Sequence, residues 1–396
     1  MSRRSGTLIV KTSDFSLDVV LRDQLRALST TDLAPVHIAS GDHGRLAEVS
    51  RREGVQAHAL PLSRDPSPAE DVRALLELIR LMRRLRPELV VYGTPKATLL
   101  AGIAAVCTRV PARVQVLHGL RLETTTGVAR QLLLATERLA LLLSTSTIAV
   151  SHGVRRRCAE LGLPVADMTV LGSGSVVGID TARARRLSAD PAVRRRMRTA
   201  LDAGPDELVV GYVGRITRDK GVEVLVRAVA RARDHGLPIR LAMIGPDEGI
   251  DALDDDVRRL LAEPWVTCTG NVPDPAEYYT AFDAFCIPSF REGLSTVLLE
   301  AWAAGVPTIV SDCTGLGDVV DDRSTGMVVP VRDVVRTAAA LEEVLGDAAL
   351  RAALRERALR RVEDDFSREV VWARCAAFYR TARDNGRRRL GRRPPR

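Results

Sequence analysis

The sequence predicts two α/β domains in tandem, each a mostly parallel, doubly wound sheet with helices on both faces. Three observations carry this. Short β-branched and apolar runs alternate with longer helix-period stretches almost from end to end. A polar, punctuated segment interrupts the alternation near the middle. The length, 396 residues, exceeds one ordinary core and suits two of ~150–200 residues. Strands that alternate with helices are joined by crossovers, so they pair in parallel and are covered on both faces.

In the first half the strand patterns are "GTLIVK" (6–11), "APVHIAS" (34–40), "VQAHALP" (55–61), "LVVYGT" (89–94), "RVQVLHG" (113–119), "STIAVS" (146–151) and "MTVLGSG" (168–174). The stretch 67–87 between two of them opens on a Ser-Pro cap signal and stops at a proline, the signature of a helix. The second half repeats the scheme with strands at 208–214, 240–245, 265–270, 284–289, 307–312 and 326–331. Helices are expected near 221–235, 251–262, 276–281, 295–304, 333–346 and 348–363. The linker is placed near 181–205, which gives domains at 1–190 and 191–370 and a C-terminal helix with a basic tail at 371–396. Two open sheets in sequence leave a central cleft, and ligands of such sheets bind beyond the carboxyl ends of the strands. The loops after each strand are therefore where chemistry is expected.

Composition narrows the function classes. Apolar residues make up 46% and charged residues 27%, an ordinary globular balance that excludes wholesale disorder. Cys107, Cys158, Cys268, Cys286, Cys313 and Cys375 are scattered, without a C-x-x-C or a histidine at ligand spacing, so neither a zinc site nor a disulfide framework is expected. His37, His43, His58, His152 and His235 match no metal-ligand spacing either and are read as structural or solvent-exposed. The "TLIV" run is too short for a signal-peptide core, and later apolar stretches are too short or too interrupted to span a bilayer. A cytoplasmic protein is expected, peripheral at most to the inner face of the plasma membrane.

The net charge of +8 is unevenly spread: residues 1–200 carry +12, residues 201–350 carry −13 and residues 351–396 carry +9. A basic half suits an anionic partner such as phosphate headgroups, and equally a plain solvated surface. Nucleic acid is not expected, because the arginine runs lack interleaved aromatics and no binding motif accompanies them. The tail "RRRLGRRPPR" is read as a disordered basic end.

Two strand–loop–helix units in the second half carry the chemistry. In "VVGYVGRITRDKGVEVLVRAV" (209–229), Gly214, Arg215, Lys220 and Gly221 crowd one turn. Glycine permits close backbone approach, a helix start offers free N–H groups, and two cations add charge, the outline of a diphosphate site. In "PSFREGLSTVLLEAWAAGVPTIVSD" (288–312), Ser295 or Thr296 suits an N-cap, which leaves Glu292 in the loop and Glu300 about one turn inside the helix. Were all nine residues helical, the carboxylates would stand ~12 Å apart along the axis. Neither arrangement makes a proton-sharing pair. Two separate hydroxyl-binding carboxylates flanking a diphosphate fit better, with the amides of Gly293, Leu294 and Ser295 on the phosphates.

These motifs resemble those of the retaining family 4 glycosyltransferases with the GT-B fold, two Rossmann-like domains facing a cleft. "EGLSTVLLEA" is similar to their E-x7-E motif and "GRITRDKG" to their Arg and Lys loop. "RLRPELVVYGTPKATLLAG", "VLHGL", "VLGSGSVVGID", "MIGPDEG" and "TGNVPDPAEYY" match further segments in order over nearly the whole chain. The resemblance implies that Glu300 binds the ribose of a nucleotide sugar, Glu292 the transferred sugar, and Arg215 and Lys220 the diphosphate. It implies that backbone around Gly270, Asn271 and Val272 meets the base with Ile244 and Gly245 nearby, and that His118 faces the donor sugar. No metal or other cofactor is expected if the two cations neutralise the diphosphate. Two segments depart from the family: "KTSDFSLD" lacks the glycines common after the first strand, and "VVGID" replaces the usual Asn-Gly-Val-Asp.

The implied reaction moves a sugar, from a UDP-sugar as the first expectation, to an acceptor hydroxyl with retention. The implied setting is assembly of cell-surface polysaccharide or lipid-linked glycan. A small-molecule natural-product acceptor, a nucleotide-sugar epimerase and a non-catalytic nucleotide-sugar-binding protein are the alternatives. The amphipathic, Arg-rich stretch "RALLELIRLMRRLRP" suits either docking on an anionic membrane or packing on the sheet.

Overall fold

A computed structural model of the chain describes residues 6–63 and 67–391. The chain forms two compact units, Met1–Val177 together with Val371–Arg396, and Gly178–Val370. Each is built on one parallel sheet.

The first sheet comprises β1 (Thr7–Ser13), β2 (Val36–Gly41), β3 (Gln56–Ala59), β4 (Leu89–Tyr92), β5 (Ala112–Leu117), β6 (Ser146–Ala149) and β7 (Met168–Val170), in the order β3-β2-β1-β4-β5-β6-β7. The second comprises β8 (Leu208–Val213), β9 (Ile239–Ile244), β10 (Val266–Cys268), β11 (Ala284–Ile287), β12 (Thr308–Ser311) and β13 (Met327–Val329), in the order β10-β9-β8-β11-β12-β13. Every pairing is parallel. In both sheets the first strand lies inside and the order reverses beside it, the doubly wound Rossmann arrangement.

Alternation along the strands builds a core on each face of the second sheet. Val209 enters one apolar cluster, with Phe285 of β11 and Leu298 and Trp302 of the helix Thr296–Ala303, while Val210 enters the other, with Leu225 and Val229. Trp302 is fully buried, and its indole Nε1–H donates to Thr308 Oγ1 at 3.0 Å. That bond removes the cost of burying the indole N–H and pins the helix to β12.

Three segments differ from expectation. The stretch read as a helical, polar linker does hold helices, Thr181–Ser188 and Pro191–Ala200, capped by Asp180 and Asp190, but they are packed rather than solvated. Val193 and Met197 sink into the second unit's core, so the chain divides at 177/178 rather than near 190. The expected helix at 276–281 is a 3-10 turn, Tyr278–Ala281. Residues 387–391 of the basic tail continue the last helix, Arg368–Gly391, and residues 392–396 lie outside the described residues.

The last helix belongs to the first unit. There Trp372 donates to Val177 O at 2.6 Å, Arg383 pairs with Asp32 at 2.8 Å and Arg387 with Glu88 at 2.6 Å. The helix Pro68–Leu85 turns Ala74, Leu78, Leu81 and Met82 inward and so packs on the sheet. Exposed apolar side chains gather instead on Gly127–Leu143, which buries Ala140 and Leu141 and leaves Val128, Leu132, Leu139 and Leu142 in solvent.

Candidate functional site

In the second unit β8 and β11 are neighbours in the sheet but are separated in the chain by β9 and β10. Their crossovers leave in opposite directions, so the loops at their carboxyl ends diverge and open a crevice. The β8 loop begins at Gly214 with φ 151, and the Tyr212 hydroxyl, donating to Arg215 O at 2.6 Å, holds the start of the turn. A 3-10 turn, Arg218–Lys220, then ends at Gly221 with φ 72. A Cβ on Gly221 would lie 2.0 Å from Pro288 O. Only glycine lets this loop press against the end of β11, and the approach sets Lys220 beside Glu292.

The Lys220 Nζ donates to Glu292 Oε1 at 2.8 Å, and Ser289 Oγ donates to the same oxygen at 2.9 Å. Glu292 Oε2 is left without a partner among the described residues. The loop after β12 braces the backbone here: Glu292 N donates to Thr314 O at 3.1 Å, and a Cβ on Gly315 would meet Gly293 O at 2.2 Å. The Leu294 and Ser295 amides make no hydrogen bond among the described residues. They stand at the start of Thr296–Ala303, where free N–H groups favour an anion. Ser295 is the N-cap residue as expected, but its side chain makes no capping bond.

A cleft of about 330 Å³ is lined by Gly214, Arg215, Lys220, Glu292, Leu294 and Ser295 among others. Arg215 reaches the cleft, but its guanidinium pairs with Glu248 of the β9 loop at 3.2 Å, and both side chains are about half exposed. Exposed pairs of this kind contribute little, so Arg215 can leave Glu248 for a stronger anion. Asp219, on the same turn, is raised by burial but held below its usual range overall by the Thr217 hydroxyl and by Arg215, Arg291 and Lys220. The turn is therefore a network of cations with one ionised aspartate at its base.

Glu300 does not line that cleft. It lies four residues beyond Thr296, one turn down the same helix, and Tyr279 donates to its Oε2 at 2.8 Å. Burial is the largest influence and pushes its carboxyl up to about 7; the Tyr279 bond, Arg183 and Arg368 pull the other way, and Asp274 adds to the rise. The two glutamates thus sit in different surroundings, one tied to a lysine in the cleft and one half-buried and bonded to a tyrosine. No shared proton joins them.

Gly214, Gly245 and Gly270 end three adjacent strands and touch in sequence. Gly245 N donates to Gly270 O at 3.0 Å, and a Cβ on Gly245 would stand 2.1 Å from Gly214 O. Val272 packs against the cluster that holds Tyr279, as do Leu294 and Val297, whereas the Asn271 side chain is exposed. His118 belongs to the first unit, immediately after β5, where Lys11 Nζ meets its Nε2 at 3.2 Å. Burial first and the Lys11 charge second hold its imidazole down at about 3.

Sequence reading missed Ser289 and Tyr279. Ser289 lies three residues before Glu292 and Tyr279 in the quoted "EYY", so position was available but partnership was not. The remaining histidines have local partners: His37 with His58, His43 with Asp14, His152 with Gly172 O and His235 with Glu342. Among the described residues no group of three or more His, Cys, Asp or Glu side chains is placed to hold a metal ion.

Comparison with known proteins agrees with this geometry. A family model described as "Glycosyl transferases group 1" matches residues 207–347, and one described as "Glycosyltransferase Family 4" matches residues 18–177. The capsular polysaccharide biosynthesis glycosyltransferase CapM of Staphylococcus aureus is 32% identical over 364 residues, covering 91% of this chain and 93% of its own. The lipopolysaccharide core biosynthesis glycosyltransferase LpsE of Rhizobium meliloti is 30% identical over 225 residues, 55% of this chain and 59% of its own. Among solved structures, Anabaena Alr3699/HepE in complex with UDP and glucose superposes with a TM-score of 0.78 at 17% identity, over 95% of this chain and 99% of its own. The similarity to CapM spans nearly the whole of both chains, and the chain belongs to the family 4 glycosyltransferases of GT-B fold.

Proposed function

We propose that the protein transfers a hexosyl group from a UDP-sugar to an acceptor hydroxyl with retention of anomeric configuration, in assembly of a cell-surface polysaccharide or lipid-linked glycan. The observation that carries the reading is the cleft at the β8/β11 switch point. There Lys220 and Ser289 hold one oxygen of Glu292 and leave the other for a ligand hydroxyl. A carboxylate fixed in this way accepts strong hydrogen bonds from a sugar.

Each residue has a role that follows from its surroundings. Lys220 and the Leu294 and Ser295 amides stabilise the charge that grows on the leaving diphosphate, and Arg215 joins them once it leaves Glu248. Glu292 Oε2 positions the transferred sugar, and Glu300, with Tyr279 beside it, accepts from the ribose hydroxyls. The base rests along Gly245, Gly270, Asn271 and Val272. As the glycosidic bond breaks, the incoming acceptor approaches the face the diphosphate leaves, so configuration is kept without a covalent intermediate. His118 enters as a contact to the transferred sugar. CapM, a capsular polysaccharide glycosyltransferase, and HepE, bound to UDP and glucose, support the choice of acceptor class and donor.

A lipid-linked acceptor would be met at an anionic membrane surface. Val128, Leu132, Leu139 and Leu142, exposed on one helix with Arg130 and Arg138, suit such a contact. Co-sedimentation with anionic vesicles should fall when Leu132 and Leu139 become serine; unchanged binding would remove this part of the reading. Among the described residues no helix is long and apolar enough to cross a membrane.

The central test combines a melting shift with turnover. UDP-sugars should raise the melting temperature above GDP-, TDP- and ADP-sugars, because a ligand stabilises the state it binds. Glu292→Ala and Lys220→Ala should melt near wild type yet lose transfer by roughly 100-fold or more, as for removal of one group that stabilises transition-state charge. Wild-type turnover in either variant would overturn the assignment.

A further inference from the structure

β1 is buried along its whole length, with β2 on one side and β4 on the other. Leu8 and Val10 enter the apolar cluster formed with Val90 and Tyr92 of β4, so the next residue, Lys11, points to the opposite face. It ends the strand's apolar run with a cation only 3% exposed. A lysine is almost never buried this deeply without a carboxylate. Here the one hydrogen bond of its ammonium among the described residues goes to His118 Nε2.

The contact needs a third residue. His118 follows β5, two strands from β1, with β4 between them. Lys11 must therefore cross the end of β4, where the chain carries Gly93. A Cβ at 93 would stand 3.1 Å from Lys11 Nζ and 2.8 Å from Val116 O. Glycine keeps that passage open.

We infer that Lys11 is a positioning residue for His118: its ammonium occupies Nε2, fixes the imidazole as the Nδ1–H tautomer, and leaves Nδ1–H as the donor offered to the transferred sugar. An ammonium has donors and no acceptor, so the nitrogen it meets must hold the lone pair, and a neutral ring then carries its proton on the other nitrogen. Neutrality is secured by burial and by the Lys11 charge, which hold the imidazole at about 3. Burial also lowers Lys11, to about 8, which leaves it largely protonated at pH 7. Nδ1 makes no hydrogen bond among the described residues and is free for a ligand oxygen.

The inference rests on the reading of His118 as a sugar contact, and the test separates the two. In the full chain labelled with 15N-histidine, with the His118 signals assigned by His118→Gln, the wild-type ring should show a protonated Nδ1 and an unprotonated Nε2. Lys11→Met should bring in the Nε2–H tautomer and lower kcat/KM for the nucleotide sugar about tenfold, as for loss of one orienting, charge-assisted hydrogen bond. A wild-type ring protonated on Nε2, or an unchanged Nδ1–H signature in Lys11→Met, would overturn the positioning role. The wild-type spectrum decides this even if the variant does not fold. Wild-type transfer by His118→Ala would instead overturn the sugar contact and leave the tautomer result standing.

Discussion

Glu292 and Glu300 show how identical side chains eight positions apart acquire different chemistry from what touches them. Glu292 meets a lysine and a serine at one oxygen and stays open at the other. Glu300 is half-buried, its carboxyl raised to about 7, with Tyr279 as its hydrogen-bond donor. The raised value makes a linkage prediction. Ribose hydroxyls bond best to the carboxylate, so donor binding should strengthen as pH rises from 5.5 to about 7 and level off above it. A nucleotide sugar is the right probe, because its diphosphate diester stays ionised throughout. Calorimetry across that range should show the rise in wild type and a flat profile in Glu300→Gln; a flat wild-type profile would remove Glu300 from the donor site. In the unliganded protein the same shift acts on stability with the opposite sign. The folded state binds the proton more tightly than the unfolded state between pH 4.5 and 7, so this group's contribution falls as pH rises through that window. The acids themselves were legible in the sequence because both lie in one strand–loop–helix unit. Lys11 and Ser289 were not, because each lies inside a strand pattern or at its end and acquires a role only from a partner the fold supplies.

At the scale of elements, the loops depend on glycines and the helices on anchors. Gly221 permits contact with Pro288 O, and any side chain there would push the lysine turn off the end of β11. Gly221→Ala should therefore reduce transfer more than it reduces stability: the left-handed φ costs on the order of 1 kcal/mol, while Lys220 loses its register with Glu292. Turnover and melting measured on the same preparation will separate these effects, and equal losses of both would show that the turn matters for folding alone. Trp302 anchors the helix at whose start the Leu294 and Ser295 amides stand. Trp302→Ala should cost ~3–5 kcal/mol, the range for deleting a large buried aromatic, read as a lowered denaturation midpoint. The strands were legible as β-branched runs between turn signals, which parallel burial on two faces preserves. For the paired helices at 181–188 and 191–200 the packing was harder to read than the helicity. Seven of their residues are arginine and few are apolar, so the pattern reads as a helical but polar linker, although Asp180 and Asp190 mark two helix starts and Val193 and Met197 are buried.

At the scale of the whole chain, the last helix returns to the first unit, a connection that no local pattern carries. The sequence predicts a helix with a basic tail here but not what it packs against, and Val371, Cys375, Tyr379 and Ala382 are buried in it. Its charges are also used. Arg380 and Arg383 hold the Asp32 carboxyl down at about 2, and a Cβ on Gly386 would stand 2.8 Å from the Pro111 backbone, so the helix lies close to the chain entering β5. Burial of a large apolar side chain contributes about 1.5–3 kcal/mol, and a typical domain is stable by only about 5–15 kcal/mol. Losing Val371 and Tyr379 together with the Arg383–Asp32 and Arg387–Glu88 pairs thus removes a large share of one unit's margin. A chain ending at residue 370 should expose the amides of β1, β4 and β5 to rapid hydrogen exchange while those of β8 and β11 stay protected. It should still show a nucleotide-sugar melting shift, because every residue assigned to the donor except His118 lies within 178–370. Wild-type protection of the first sheet in the truncated chain would show that the helix is dispensable. Loss of protection in both sheets would show that the two units fold as a single cooperative system.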